Sequence, residues 1–130
     1  MEQHPNVART RDAYEAFSRG DLDAVGAQLT DDVVWHVAGN SPLAGDYKGQ
    51  DEIFGFFGRL FEMSEGTLKL EVHDILANDE HATVLVHMTA KRGDRMIDQN
   101  AVHVFEIVDG KTKEFWSFEE DQRAQDEFWS

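Results

Sequence analysis

A chain of 130 residues is the length of one domain, 1–130, with enough interior for a single core. Its 26 acidic and 12 basic residues give a formal charge of −14, a surface that repels phosphate backbones and anionic lipid. Nucleic acid and membranes are therefore poor partners. With no cysteine there can be no disulfide, thiolate metal site or thiol nucleophile. No apolar run resembles a secretion signal or a membrane span, so a soluble, cytoplasmic protein is expected.

Pro5 suits a first helical turn, and Val7, Thr10, Tyr14 and Phe17 then share one helical face. Gly20 stops that helix. Asp21 can cap a second, short one carrying Leu22, Val25 and Leu29. A β-branched and aromatic run, Val33 to Val37, reads as a strand, and a long loop holding Gly39, Pro42, Gly45 and Gly49 follows it. Such a loop beside a buried strand is often the rim of a binding site. A third helix runs from about Gln50 to Met63, with Ile53, Phe54, Phe57, Leu60 and Phe61 along one stripe. Gly55 and Gly58 weaken it, for which close packing against a sheet is one reason.

After Gly66 the apolar period changes to two. Leu68, Leu70 and Val72 mark a strand, Asn78-Asp79-Glu80 a turn, and His81–Arg92 and Met96–Val108 two long strands. Asp109-Gly110 is a hairpin signal leading to Lys111–Glu119. The remainder, from Gln122, reads as a polar tail with Phe128 and Trp129 folded back. Helices on one face of a mostly antiparallel sheet make an α+β domain of ααβαββββ order. The later strands, with Leu85, Val102, Val104, Phe105 and Phe115-Trp116-Ser117-Phe118, are apolar on both faces. One helical layer covers only one of them, which predicts a homodimer through the outer face.

Gly20-Asp21-Leu22-Asp23, Asp31-Asp32-Val33-Val34-Trp35-His36, the segment Gly45 through Gly49, and Asp109-Gly110-Lys111 with Phe115-Trp116 and Asp121 cover nearly the whole chain. Together they resemble the nuclear transport factor 2-like superfamily, and within it the SnoaL-like, ketosteroid isomerase-related branch. The resemblance implies a cone-shaped α+β barrel with three N-terminal helices on a curved mixed sheet. It also implies a pocket under the concave face and dimerisation through the other. Members include isomerases, polyketide cyclases, dehydratases and proteins without a reaction, so the fold does not fix the chemistry. Where the isomerases carry their first-strand carboxylate this chain has Val37, and Tyr14 lies about one residue out of register, a turn of roughly 100°. Ketosteroid isomerisation by that route is not expected. The cyclase branch pairs an aspartate near the end of the last strand with a histidine. Asp121 resembles the former, and His103 or His87 the latter.

Of six histidines, His4, His73 and His81 fall at element ends or polar positions, and His36 alternates away from Trp35 and Val37. His87 shares a face with Leu85, and His103 with Phe105 and Ile107; an imidazole buried in such company stays neutral and can act as base or donor. Trp35 and Val37, with Tyr14, Phe54 and Phe57 from the helices and Leu85, Phe105 and Phe115 from later strands, are expected to line a cavity for a small apolar ligand. No histidine–carboxylate spacing suggests a metal, and no cofactor is expected. Two readings stay open: acid–base catalysis next to a carbonyl, through His103, Asp121 or His87, and a non-catalytic ligand-binding or dimerisation module.

Overall fold

The computed structural model describes residues 3–130. Helix α1 (Pro5–Ser18) has Pro5 in its first turn, and the His4 imidazole accepts the Asn6 N–H at 3.1 Å. Gly20, at φ +72°, ends the turn that follows, and the Asp21 carboxylate accepts the Ala24 N–H to open α2 (Leu22–Gly26). The sequence extends that helix to Leu29. Instead it stops at Gly26, whose missing side chain lets Gln50 and Phe54 approach to within 2.9 Å of where a Cβ would stand. Leu29 opens strand β1 (Leu29–Val37).

The loop after β1 is shorter than its glycines suggest. Residues 45–48 form a further strand, β2 (Gly45–Lys48), paired antiparallel to β1 with Trp35 opposite Tyr47. His36 fastens the arrangement from the outer side. Its Nδ1 lies 2.7 Å from Asp46 on β2, and its Nε2 2.6 Å from Glu114. Helix α3 (Gly49–Met63) follows, burying Ile53, Phe56 and Phe57. Nothing lies within 4 Å of a Cβ built on its Gly55 or Gly58. Close packing against the sheet is thus not the reason for these two glycines.

Strands β3 (Lys69–Ala77), β4 (His81–Arg92), β5 (Arg95–Val108) and β6 (Lys111–Glu119) complete a six-stranded sheet of order β2-β1-β6-β5-β4-β3. It is antiparallel except where β1 runs parallel to β6, and bulges in β1, β3 and β6 bend it into a curved, unclosed layer. The α+β cone expected from the sequence is therefore what the chain forms. The tail is not a tail. Residues 122–129 form helix α4 (Gln122–Trp129), capped by the Asp121 carboxylate on the Ala124 N–H at 3.0 Å. Gln125, Phe128 and Trp129, at i, i+3 and i+4, make the buried stripe that the short, polar segment conceals.

Alternation sorts the two sheet faces. Val84, Val86 and Met88 on β4 and Ala101, His103, Phe105 and Ile107 on β5 are buried beneath the helices. Leu85, His87, Val102, Val104 and Trp116 lie half-buried on the convex side, with Phe118 exposed there. No helix among the described residues is long and apolar enough to cross a membrane.

Candidate active site

A cavity of about 150 Å³ lies between the concave sheet face and helices α1, α3 and α4. Its apolar wall follows from strand register. Pairing Trp35 with Phe115 across the parallel β1–β6 ladder stacks the two rings, with centroids 3.7 Å apart and planes at 11°. Phe57 meets Trp35 edge-on at 5.5 Å, and Phe105 meets Phe115 edge-on at 5.1 Å. Tyr14 and Val37 also line the space.

Of the residues expected around the pocket, Tyr14, Trp35, Val37, Phe57, His103, Phe105 and Phe115 are brought together in this cavity. The others lie elsewhere, each for a geometric reason. Leu85 and His87 alternate onto the convex face, because Val84 and not Leu85 pairs with His103. There His87 Nδ1 lies 2.8 Å from Asn100 and Nε2 2.7 Å from Asp98; the Asn100 hydrogen bond, then the charge of Asp98, raise its pKa. Phe54 lines a separate depression with Leu22, Gly26 and Gln50, and Phe56 takes the inward position on α3. Asp121 is exposed, its carboxylate engaged as the α4 cap, outside the cavity wall.

His103 projects from the centre of β5 with 8% of its surface exposed. Its Nδ1 is 2.5 Å from the Tyr14 hydroxyl. Burial raises the Tyr14 pKa well above 10, so the phenol keeps its proton, and with His103 Nδ1 as that hydroxyl's partner among the described residues the phenol O–H is the donor of the bond. The imidazole is therefore the Nε2–H tautomer. Burial lowers its pKa to about 4, which keeps it neutral. No buried side-chain nitrogen or oxygen among the described residues lacks a hydrogen-bond partner. Since Nε2 has no hydrogen-bond partner among the described residues, it is not sealed off and is a donor on the wall of the cavity.

The carboxylate on the sheet wall of the cavity is Glu119. Phe115, Ser117 and Glu119 alternate on the inward face of β6; Ser117 sits opposite His103 and Glu119 opposite Ala101. His103 and Glu119 are thus diagonal neighbours, with backbones about 7–8 Å apart. Burial raises the Glu119 pKa, opposed by a hydrogen bond from the Ser117 hydroxyl. Its second oxygen accepts from Gln125 Nε2 at 3.2 Å, and the Trp129 indole N–H fixes the Gln125 amide at 2.9 Å. Counting by twos from Phe115 would have found Glu119 in the sequence. The resemblance to the cyclase branch points instead to Asp121, which lies past the end of the strand as the α4 cap. Among the described residues no three His, Asp or Glu side chains are arranged to hold a metal ion.

A curved sheet wrapped over three helices, with a pocket on its concave side, is the nuclear transport factor 2-like fold, and in this chain a C-terminal helix adds to the pocket wall. Within it this chain belongs to the SnoaL-like family, whose domain profile matches residues 10–115. It is 27% identical, over all of both chains, to an uncharacterised protein of Mycobacterium tuberculosis. Among solved structures it is similar to Bal32a, from a soil-derived mobile gene cassette, at 32% identity over 96% of each chain and a TM-score of 0.92. It is also similar to an NTF2-like protein of unknown function from Burkholderia pseudomallei, at 27% identity over 98% of this chain and 99% of that one, with a TM-score of 0.82.

Proposed function

We propose that this protein binds a small apolar carbonyl compound and moves a proton on a carbon beside the carbonyl, without a cofactor, in chemistry of the isomerase, cyclase or lyase type. The observation that carries this reading is the diagonal placement of Glu119 and His103 on one wall of an apolar cavity. A carboxyl raised toward neutrality by burial is a better-matched base than an exposed one. The Glu119 carboxylate takes the proton from the α-carbon, and the bonding pair moves onto the carbonyl oxygen. His103 Nε2–H donates a hydrogen bond to that developing enolate oxygen. The glutamic acid then returns the proton to the same or another carbon. The sequence offered His103 as base. A pKa of about 4 favours its role as a neutral donor instead, because an imidazolium in this interior is costly.

Solvent-deuterium exchange into a panel of cyclic ketones tests the reading. The wild type should catalyse exchange, and Glu119→Gln should lower the rate by about 10²-fold or more. Binding without exchange would leave the non-catalytic module as the better account.

A homodimer through the convex face belongs to the same proposal. Leu85 pairs with Val102, Val102 with Phe118, and Val104 with Trp116, so these side chains form one apolar patch across three strands. A second copy of the same patch would cover it. The cysteine-free sequence supports a cytoplasmic setting.

A further inference from the structure

We propose that the cavity selects uncharged ring compounds carrying one carbonyl and one hydroxyl or amine donor, and rejects their carboxylate counterparts. This rests on the proposed small-molecule reading and goes further, to the charge of the ligand. No lysine or arginine lines the cavity, while two carboxylates do, Glu119 inside and Asp126 on α4 beside Gly39. Two of the lining's three glutamine amides are already engaged. Gln125 Nε2 lies 3.2 Å from Glu119, and Gln122 Nε2 3.1 Å from Asp126 and 3.4 Å from the Ala38 carbonyl. Beside the neutral donors of Gln28, Ser41 and Thr112, that leaves His103 Nε2–H as the donor on the aromatic wall, with carboxylate oxygens for an incoming donor.

A bound anion would find neutral hydrogen-bond donors, no counter-charge, and two like charges in a medium that screens poorly. The protein's basic groups do not compensate. Arg92 and Arg95 hold carbonyls at the end of α4, and Arg59 holds the Pro42 carbonyl. A chain of net charge −14 adds long-range repulsion of the same sign. A ketone, by contrast, places its oxygen on His103 and a hydroxyl on Glu119 or Asp126, satisfying both polar ends of an otherwise aromatic space.

Three probes of matched shape separate these outcomes: acetophenone, 4-(hydroxymethyl)acetophenone and 4-acetylbenzoate. Binding is read at pH 8 from the Trp35 indole N–H resonance. The alcohol should bind at least as tightly as acetophenone, and the carboxylate at least about tenfold more weakly. Glu119→Gln/Asp126→Asn should bring the carboxylate to within about threefold of the alcohol. Should the double variant fail to fold, Asp126→Asn alone, at the rim, should narrow the gap. Comparable binding of carboxylate and alcohol by the wild type, or a gap that no variant narrows, overturns the selectivity and leaves the proposed function standing. No perturbation by any of the three removes the small-molecule reading and this inference together.

Discussion

His103 owes its state to two separate causes. Burial removes its charge, and Tyr14 then selects which nitrogen keeps the remaining proton. The linkage sign follows from the direction of the shift. A histidine whose folded pKa of about 4 lies below the ordinary 6.5 gives stability that is fully present above 6.5. That stability is lost as the pH falls from 6.5 toward 4, by about 3 kcal/mol from the size of the shift. Glu119 acts in the opposite sense: its raised pKa makes the folded state bind its proton more tightly, favouring folding as the pH falls. Chemical denaturation of His103→Gln and wild type at pH 7 and pH 4 should therefore show a shallower acid loss in the variant. An equal loss would mean that His103 titrates freely in the folded protein. Tyr14→Phe leaves Nδ1 as a buried acceptor without a donor and should cost about 1–3 kcal/mol at pH 7.

At the scale of elements, α4 is the piece that holds the proposed base in place. Its Gln125 holds Glu119 and its Trp129 holds Gln125, and its outer turn meets the loop after β1 at Gly39. Gly39 has φ +99°, and a Cβ there would stand 2.2 Å from the Asp126 carboxylate and 2.4 Å from the Gln122 amide. Gly39→Ala should cost about 1–3 kcal/mol, from the backbone conformation even if those side chains swing away. Gly55 and Gly58, helical and in open space, should behave oppositely. Alanine at each should stabilise by about 0.4–1 kcal/mol, because it restricts the unfolded chain and meets nothing in the folded one. Thermal melts of the three variants check the contrast, and a Gly39→Ala protein as stable as wild type would argue against the tight loop–α4 contact.

For the molecule as a whole, the unpartnered feature is the convex apolar patch of Leu85, Val102, Val104, Trp116 and Phe118, with Phe118 58% exposed. The dimer proposal predicts a sedimentation mass of two chains at micromolar concentration. Val104→Glu, in the middle of the patch and pointing away from the cavity, should shift it to one chain with the fold retained. A wild-type monomer at that concentration would remove the proposal.

Local sequence was enough wherever a single residue carries its own conformational cause. Pro5, Gly20 and Asp21 fix helix ends, the change of period after Gly66 announces the strands, and Asp109-Gly110 turns the last hairpin. The same alternation placed His103 with Phe105 and Ile107, as the buried face of β5 shows. Tertiary structure alone decided which face became the inside. His87 and His103 look alike as strand histidines, and only the pairing of Val84 with His103 sends His87 outward. Residues 45–48 and 122–129 are too short and too polar to declare themselves. The first became a strand because β1 had an open edge, and the second a helix because Phe128 and Trp129 had a cavity end to close. The Glu119–Gln125–Trp129 hydrogen bonds join a strand to a helix that the linear pattern hides, so the group proposed for proton transfer is one that packing placed at the cavity.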